Sequence, residues 1–118
     1  MNGHMRIKNI KTKCVKMTLP HFEGVVKTYD DLQNAAAKLL CDNSDFISIQ
    51  ANVDCIEIDG IKYTSDFLCR DKDGGYTVYE CVYRKYLDKP KTVKLLDASQ
   101  KFWQGRGCTW GLIIEKEE

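Results

Sequence analysis

The sequence predicts a mixed α/β (α+β) domain in which a helix, three strands, a second helix and a last strand follow one another, so that a central mixed sheet is flanked by two helices. Three observations predict it. Apolar residues recur at helical spacing behind a start signal at Thr28. Runs of β-branched and aromatic residues follow, divided by the turn signals Asp59-Gly60 and Asp73-Gly74-Gly75. A second helical pattern opens after Pro90, stops at Gly105-Arg106-Gly107 and leads into a final apolar run. The length, 118 residues, suits one domain with its own core.

Taken in order, residues 1–27 read as a basic N-terminal arm, and the opening MNGHM has the look of a vector scar ahead of a start at Met5. Residues 28–118 form the single domain. Thr28 followed by Asp31 starts a helix over 28–41, with Leu32, Ala35, Ala36, Leu39 and Leu40 at helical spacing. DFISIQ (45–50), VDCIEID (53–59) and IKYTSDFLC (61–69) read as strand material, and Asp59-Gly60 suits a type I′ hairpin turn. YTVYECVY (76–83) is the next strand, which makes a meander of about three strands. In the helix over 91–104, Val93, Leu96, Gln100 and Trp103 form one stripe, flanked by Leu95 and Phe102. CTWGLII (108–114) is the last strand, and a crossover helix feeds it in beside an inner one.

Composition removes several classes. With 43% hydrophobic and 30% charged residues the chain is globular rather than disordered, and no apolar run approaches the roughly 20 residues a membrane helix needs. The six cysteines, at 14, 41, 55, 69, 81 and 108, are widely spaced and contain no C-x-x-C pair, which points to reduced thiols and a cytoplasmic setting. With only His4 and His21 beside them, a zinc site is not expected. Net charge is +1, yet it is unevenly placed. Arg6, Lys8, Lys11, Lys13 and Lys16 form one basic run without an acid, and Arg84, Lys85, Lys89, Lys91 and Lys94 a second broken only by Asp88. Acidic residues gather at 54–59 and in the EKEE tail. Such asymmetry fits a phosphate-binding face with a neutralising back, and it also fits ordinary surface charge mixing.

The most informative stretch puts Asp66 on one strand and Glu80 on the next. A turn centred on Asp73 sets these residues opposite one another across an antiparallel pair, roughly 5 Å apart at Cβ. Two opposed carboxylates are unfavourable unless a cation, a proton or a nearby base relieves them. A hard divalent ion such as Mg²⁺ is one such cation, held by one or two carboxylates together with substrate phosphate.

These residues resemble a family. A helix, a hairpin with Asp on one strand and Glu on the next, then a helix and a strand is similar to the PD-(D/E)xK, or restriction-endonuclease-like, nuclease fold. SDFLCRDKDGGYTVYECV, followed by QKFWQGRGCTWGLI, most resembles the TnsA-like transposon-end endonucleases and related phage proteins, over residues 28–116. The resemblance implies that Asp66 and Glu80 are the metal-binding and catalytic carboxylates, with Mg²⁺ or Mn²⁺ as cofactor if the protein is active. It also exposes two departures: the motif's lysine falls on Val82, and the carboxylate often supplied by the first helix falls on Gln33. A catalytic lysine activates water and offsets developing phosphorane charge, and valine does neither. Lys62, Arg84 and Lys94 are the candidate surrogates.

Two function classes follow. The first is a DNA-binding accessory protein on a degenerate nuclease scaffold in a phage or mobile element. There Lys8, Lys11, Lys13, Lys16, Arg84, Lys85, Lys89, Lys91 and Lys94 meet the phosphates of duplex or single-stranded DNA, Tyr83, Tyr86 or Trp103 stack on unpaired bases, and a transposase or polymerase is the partner recruited. The second is a Mg²⁺-dependent endonuclease with a displaced lysine. A protein-interaction module without a nucleic-acid role is a third.

Overall fold

The computed structural model describes residues 14–116. Within the stretch read from the sequence as an arm, β1 (Val15–Met17) pairs antiparallel with β2 (Val26–Thr28), and Phe22 and Val26 are buried in the core. Lys8, Lys11 and Lys13 lie outside the described residues. The first helix, α1, is Asp31–Cys41 and starts three residues later than Thr28 suggested. Thr28 is committed to β2 opposite Val15. Asp30, in an extended conformation, caps the helix instead: its carboxylate accepts from the N–H of Gln33 at 2.8 Å, while the Gln33 side chain accepts from the N–H of Tyr29 at 2.9 Å. The helix buries Leu32, Gln33, Ala36, Ala37, Leu40 and Cys41.

The two segments expected at 45–50 and 53–59 are one strand, β3 (Phe46–Ile58). The kink that made them look separate is Asn52, which has a left-handed φ of 57° that Asn tolerates better than most residues. Its side chain bridges two elements, accepting from Gln33 Nε2 and donating to the Lys27 carbonyl, both at 2.8 Å. Asp59 and Gly60 both have positive φ, as a type I′ turn demands, and they set Ile58 opposite Ile61. The strand β4 (Ile61–Asp71) then returns. At its end the Asp71 carboxylate accepts from the N–H groups of Asp73 and Gly75, closing the turn into β5 (Tyr76–Cys81).

After a short 3-10 turn at Arg84–Tyr86, the second helix, α2, spans Pro90–Gln104, with proline at its first position where no N–H is needed. The stripe that α2 buries is Thr92, Leu95, Ser99 and Trp103, one residue round from the apolar stripe expected at Val93, Leu96 and Gln100; Val93 faces solvent. The last strand, β6 (Thr109–Ile113), lies parallel to β5, as the crossover predicted. The four-stranded sheet therefore runs β3-β4-β5-β6, mixed, in an α+β domain with two helices.

The helices cover opposite faces. Phe67, Cys69 and Cys81 join the apolar cluster of α1, with Tyr79, Tyr83 and Ile113 packed against it. Neighbouring strand residues point the other way, and Glu80 and Trp110 meet Ser99 of α2. All six cysteines are free thiols. Among the described residues no helix is long and apolar enough to cross a membrane.

Candidate functional site

The β4–β5 ladder pairs Phe67 with Tyr79 and Leu68 with Val78, the register that a turn centred on Asp73 predicts. One step beyond its last pair, the strands are tied by the two carboxylates. Asp66 Oδ2 accepts from the Cys81 N–H at 2.8 Å, and the Asp66 N–H faces Glu80 Oε1 at 3.4 Å. The sequence therefore brings Asp66 and Glu80 together, as expected. Their surroundings were not legible in it.

Both carboxylates are buried, Asp66 at 1% and Glu80 at 0% exposure, with Glu80 beneath α2. Tyr63 donates to Glu80 Oε1 at 2.7 Å, and Ser99 donates to Oε2 at 2.5 Å while accepting from Trp110 Nε1 at 3.1 Å. Beside them Trp103 Nε1 donates to Ser65 Oγ at 2.8 Å. Burial, and then the negative charge of Asp66, pushes the Glu80 carboxyl up to about 7, against the pull of hydrogen bonds from Ser65, Ser99 and Tyr63. A proton on one member is one of the three reliefs that two facing carboxylates can have, and the raised Glu80 carboxyl favours it.

A divalent ion fits this arrangement poorly. Mg²⁺ keeps several waters and needs octahedral access, whereas here both Glu80 oxygens are engaged by hydroxyls beneath a helix. Among the described residues no group of three or more His, Cys, Asp or Glu gathers to hold a metal. Val82, at the position of the motif's lysine, is 1% exposed, and its N–H donates to the Ile113 carbonyl. Gln33 belongs to the α1 face and uses its amide on Tyr29 and Asn52, so it does not join the pair.

The candidate surrogates stay outside. Lys62 is exposed opposite Glu57. Arg84 donates through Nε to the Glu115 carbonyl at 3.3 Å, while its backbone N–H bonds the Glu115 carboxylate. Lys94 pairs with Asp59 at 3.2 Å, with both side chains largely in water. Of the aromatic residues expected to stack on bases, Trp103 is a core residue whose indole N–H is already used, which removes it from that role. Tyr83 accepts from the Leu32 N–H at 3.2 Å, and Tyr86 carries the Lys85 ammonium over its ring at 5.2 Å.

Arg84, Lys85, Lys89, Lys91 and Lys94 are all exposed, around the 3-10 turn and the first turns of α2. Lys89, at the cap position of α2, makes no side-chain capping bond, so the first N–H groups and the helix dipole add positive potential there. Lys16 and Lys27 are exposed partners in the β1–β2 ribbon.

Sequence reasoning missed Tyr63, Ser65, Ser99 and Trp110, the groups that satisfy the pair. The available signal was Ser99 between Leu95 and Trp103 on one helix face, directed at a strand that carries a glutamate. No family model matches the chain, and no curated protein matches it.

Proposed function

We propose that this protein binds nucleic acid through its phosphate backbone and does not cleave it. The observation that carries the binding half is the cluster at 84–94: five exposed cations grouped about an uncapped helix N-terminus, the arrangement that receives phosphate oxygens elsewhere. The exposed Lys94–Asp59 pair costs little to open. The non-cleaving half rests on Asp66 and Glu80, which are held as a closed, hydrogen-bonded pair away from any phosphate. From α1 onward, the element order helix, three strands, helix, strand supports a restriction-endonuclease-like scaffold of the TnsA-like kind that has become an accessory protein. In that role it would bring a transposase or polymerase to DNA.

Fluorescence anisotropy with single-stranded, duplex and junction DNA at two salt concentrations tests the binding. Affinity should fall steeply with salt, log K dropping by roughly 0.7–0.9 for each phosphate neutralised. Replacing Lys85, Lys89 and Lys91 together by alanine should flatten that slope by about two to three units. No binding at low salt would end this reading. Plasmid nicking with Mg²⁺ or Mn²⁺ that disappears in Asp66→Ala would replace it by the endonuclease.

A further inference from the structure

A pocket of about 360 Å³ opens between the segment around β2 and the outer edge of β3. Two ties fix its ends. The Ile49 N–H donates to the His21 carbonyl at 2.9 Å, and Asn52 Nδ2 donates to the Lys27 carbonyl at 2.8 Å. Between them the chain from His21 to Lys27 bows away from β3, helped by positive φ at His21 and Gly24. Strand alternation turns the N–H and C=O of Ala51 to the same outer edge as those of Ile49, so Ala51 lines the pocket with a donor and an acceptor side by side. Tyr29 and Phe22 contribute aromatic surface, and Gln50 and Glu23 contribute polar ends. Lys27 stands at the rim, paired in register with Lys16.

We propose that this pocket receives one unstacked nucleobase of a single-stranded nucleic acid, a reading that rests on the phosphate-binding function above. The volume lies at the small end of ligand pockets, right for a single ring system. Adjacent donor and acceptor groups match the hydrogen-bonding edge of a base, and aromatic walls stack on any base without sequence preference. Lys16 and Lys27 are placed for the flanking phosphates. A single strand can offer an unstacked base to this pocket, which a paired duplex cannot do without flipping it.

Val25 lines the pocket and is 59% exposed, so Val25→Trp fills the space without disturbing the core. Tyr29→Ala removes the aromatic wall and keeps the N–H that bonds Gln33. Each variant, with its melting temperature checked against wild type, is titrated with a labelled single-stranded oligonucleotide, the same oligonucleotide carrying abasic sites, and a duplex. Both variants should bind the intact single strand about 5- to 100-fold more weakly, the scale of one lost stacking contact, with duplex affinity and salt slope unchanged. Wild type should show the same deficit on the abasic strand. Single-strand affinity that is unchanged in both variants, or that falls equally on duplex, overturns the pocket while leaving phosphate binding in place. Absence of binding to any nucleic acid overturns both.

Discussion

Replacing Glu80 by glutamine measures how the buried pair is charged. In the folded protein the Glu80 carboxyl titrates near 7 against an ordinary value of 4.5, chiefly because burial disfavours the anion and Asp66 adds like charge. The folded state thus holds this proton more tightly than the unfolded chain does. The stabilisation is fully present below the unfolded value and is lost as pH rises through about 7, an interval that corresponds to roughly 3 kcal/mol. Glu80 is completely buried, so water does not screen the effect. Urea unfolding of wild type and Glu80→Gln, at steps from about pH 4 to about pH 8, should show wild type losing about 3 kcal/mol relative to the variant across that window. The amide is neutral throughout and still meets the Tyr63 and Ser99 hydroxyls. Parallel profiles for the two proteins would refute the reasoning, since Glu80 would then titrate alike folded and unfolded.

Three further outcomes test neighbouring claims. Ser99→Ala removes a donor from Glu80 and the acceptor of Trp110 Nε1; it should cost about 1–3 kcal/mol in urea unfolding and move the pH-dependent loss upward, and an unchanged profile would mean that Ser99 does not hold the pair. Asp30→Ala deletes the cap on the Gln33 N–H and should cost about 1 kcal/mol, read from the same unfolding midpoint. Val82→Lys, which would rebuild the motif, puts an ammonium into a sealed site: stability should fall by over ~2 kcal/mol near pH 5 and recover partly as Glu80 ionises, with no nicking of plasmid DNA, whereas nicking would show that the site opens.

Much of the architecture was legible because it is written in local signals. Asp59-Gly60 and Asp73-Gly74-Gly75 fix turn geometry through residues that accept positive φ or cap their own loops, and turn position sets the register that brings Asp66 beside Glu80. Pro90 marks the first turn of α2 for an equally local reason. What failed depended on distant partners. Thr28 has the chemistry of a helix cap, but Val15 draws it into a strand. Asn52 interrupts the strand pattern because its amide serves Gln33 and Lys27, residues far away in sequence. The pocket was invisible for the same reason, since its walls come from two segments about twenty-five residues apart.

The rotation of α2 shows why a sheet retains two carboxylates in its interior. Apolar periodicity alone offers the helix a stripe through Val93, Leu96 and Trp103, and hydrophobic burial would be served by that choice. The stripe actually buried carries Thr92, whose hydroxyl finds no hydrogen-bond partner among the described residues, and Ser99, which gains nothing from leaving water unless it meets polar groups. Ser99 meets Glu80 and Trp110, and Trp103 meets Ser65, so three hydrogen-bonding groups from β4, β5 and β6 fix one angular setting of the helix. Leaving Glu80 or Ser99 unpaired in the interior costs more than a displaced valine gains. The Ser99 bond that holds the helix at this angle occupies Glu80 Oε2, and Tyr63 of β4 occupies Oε1, so neither oxygen of the residue that a metal site would need is left open. In this sheet Glu80, Ser65 and Trp110 specify how α2 packs, and both carboxylates of the pair lie buried in the result.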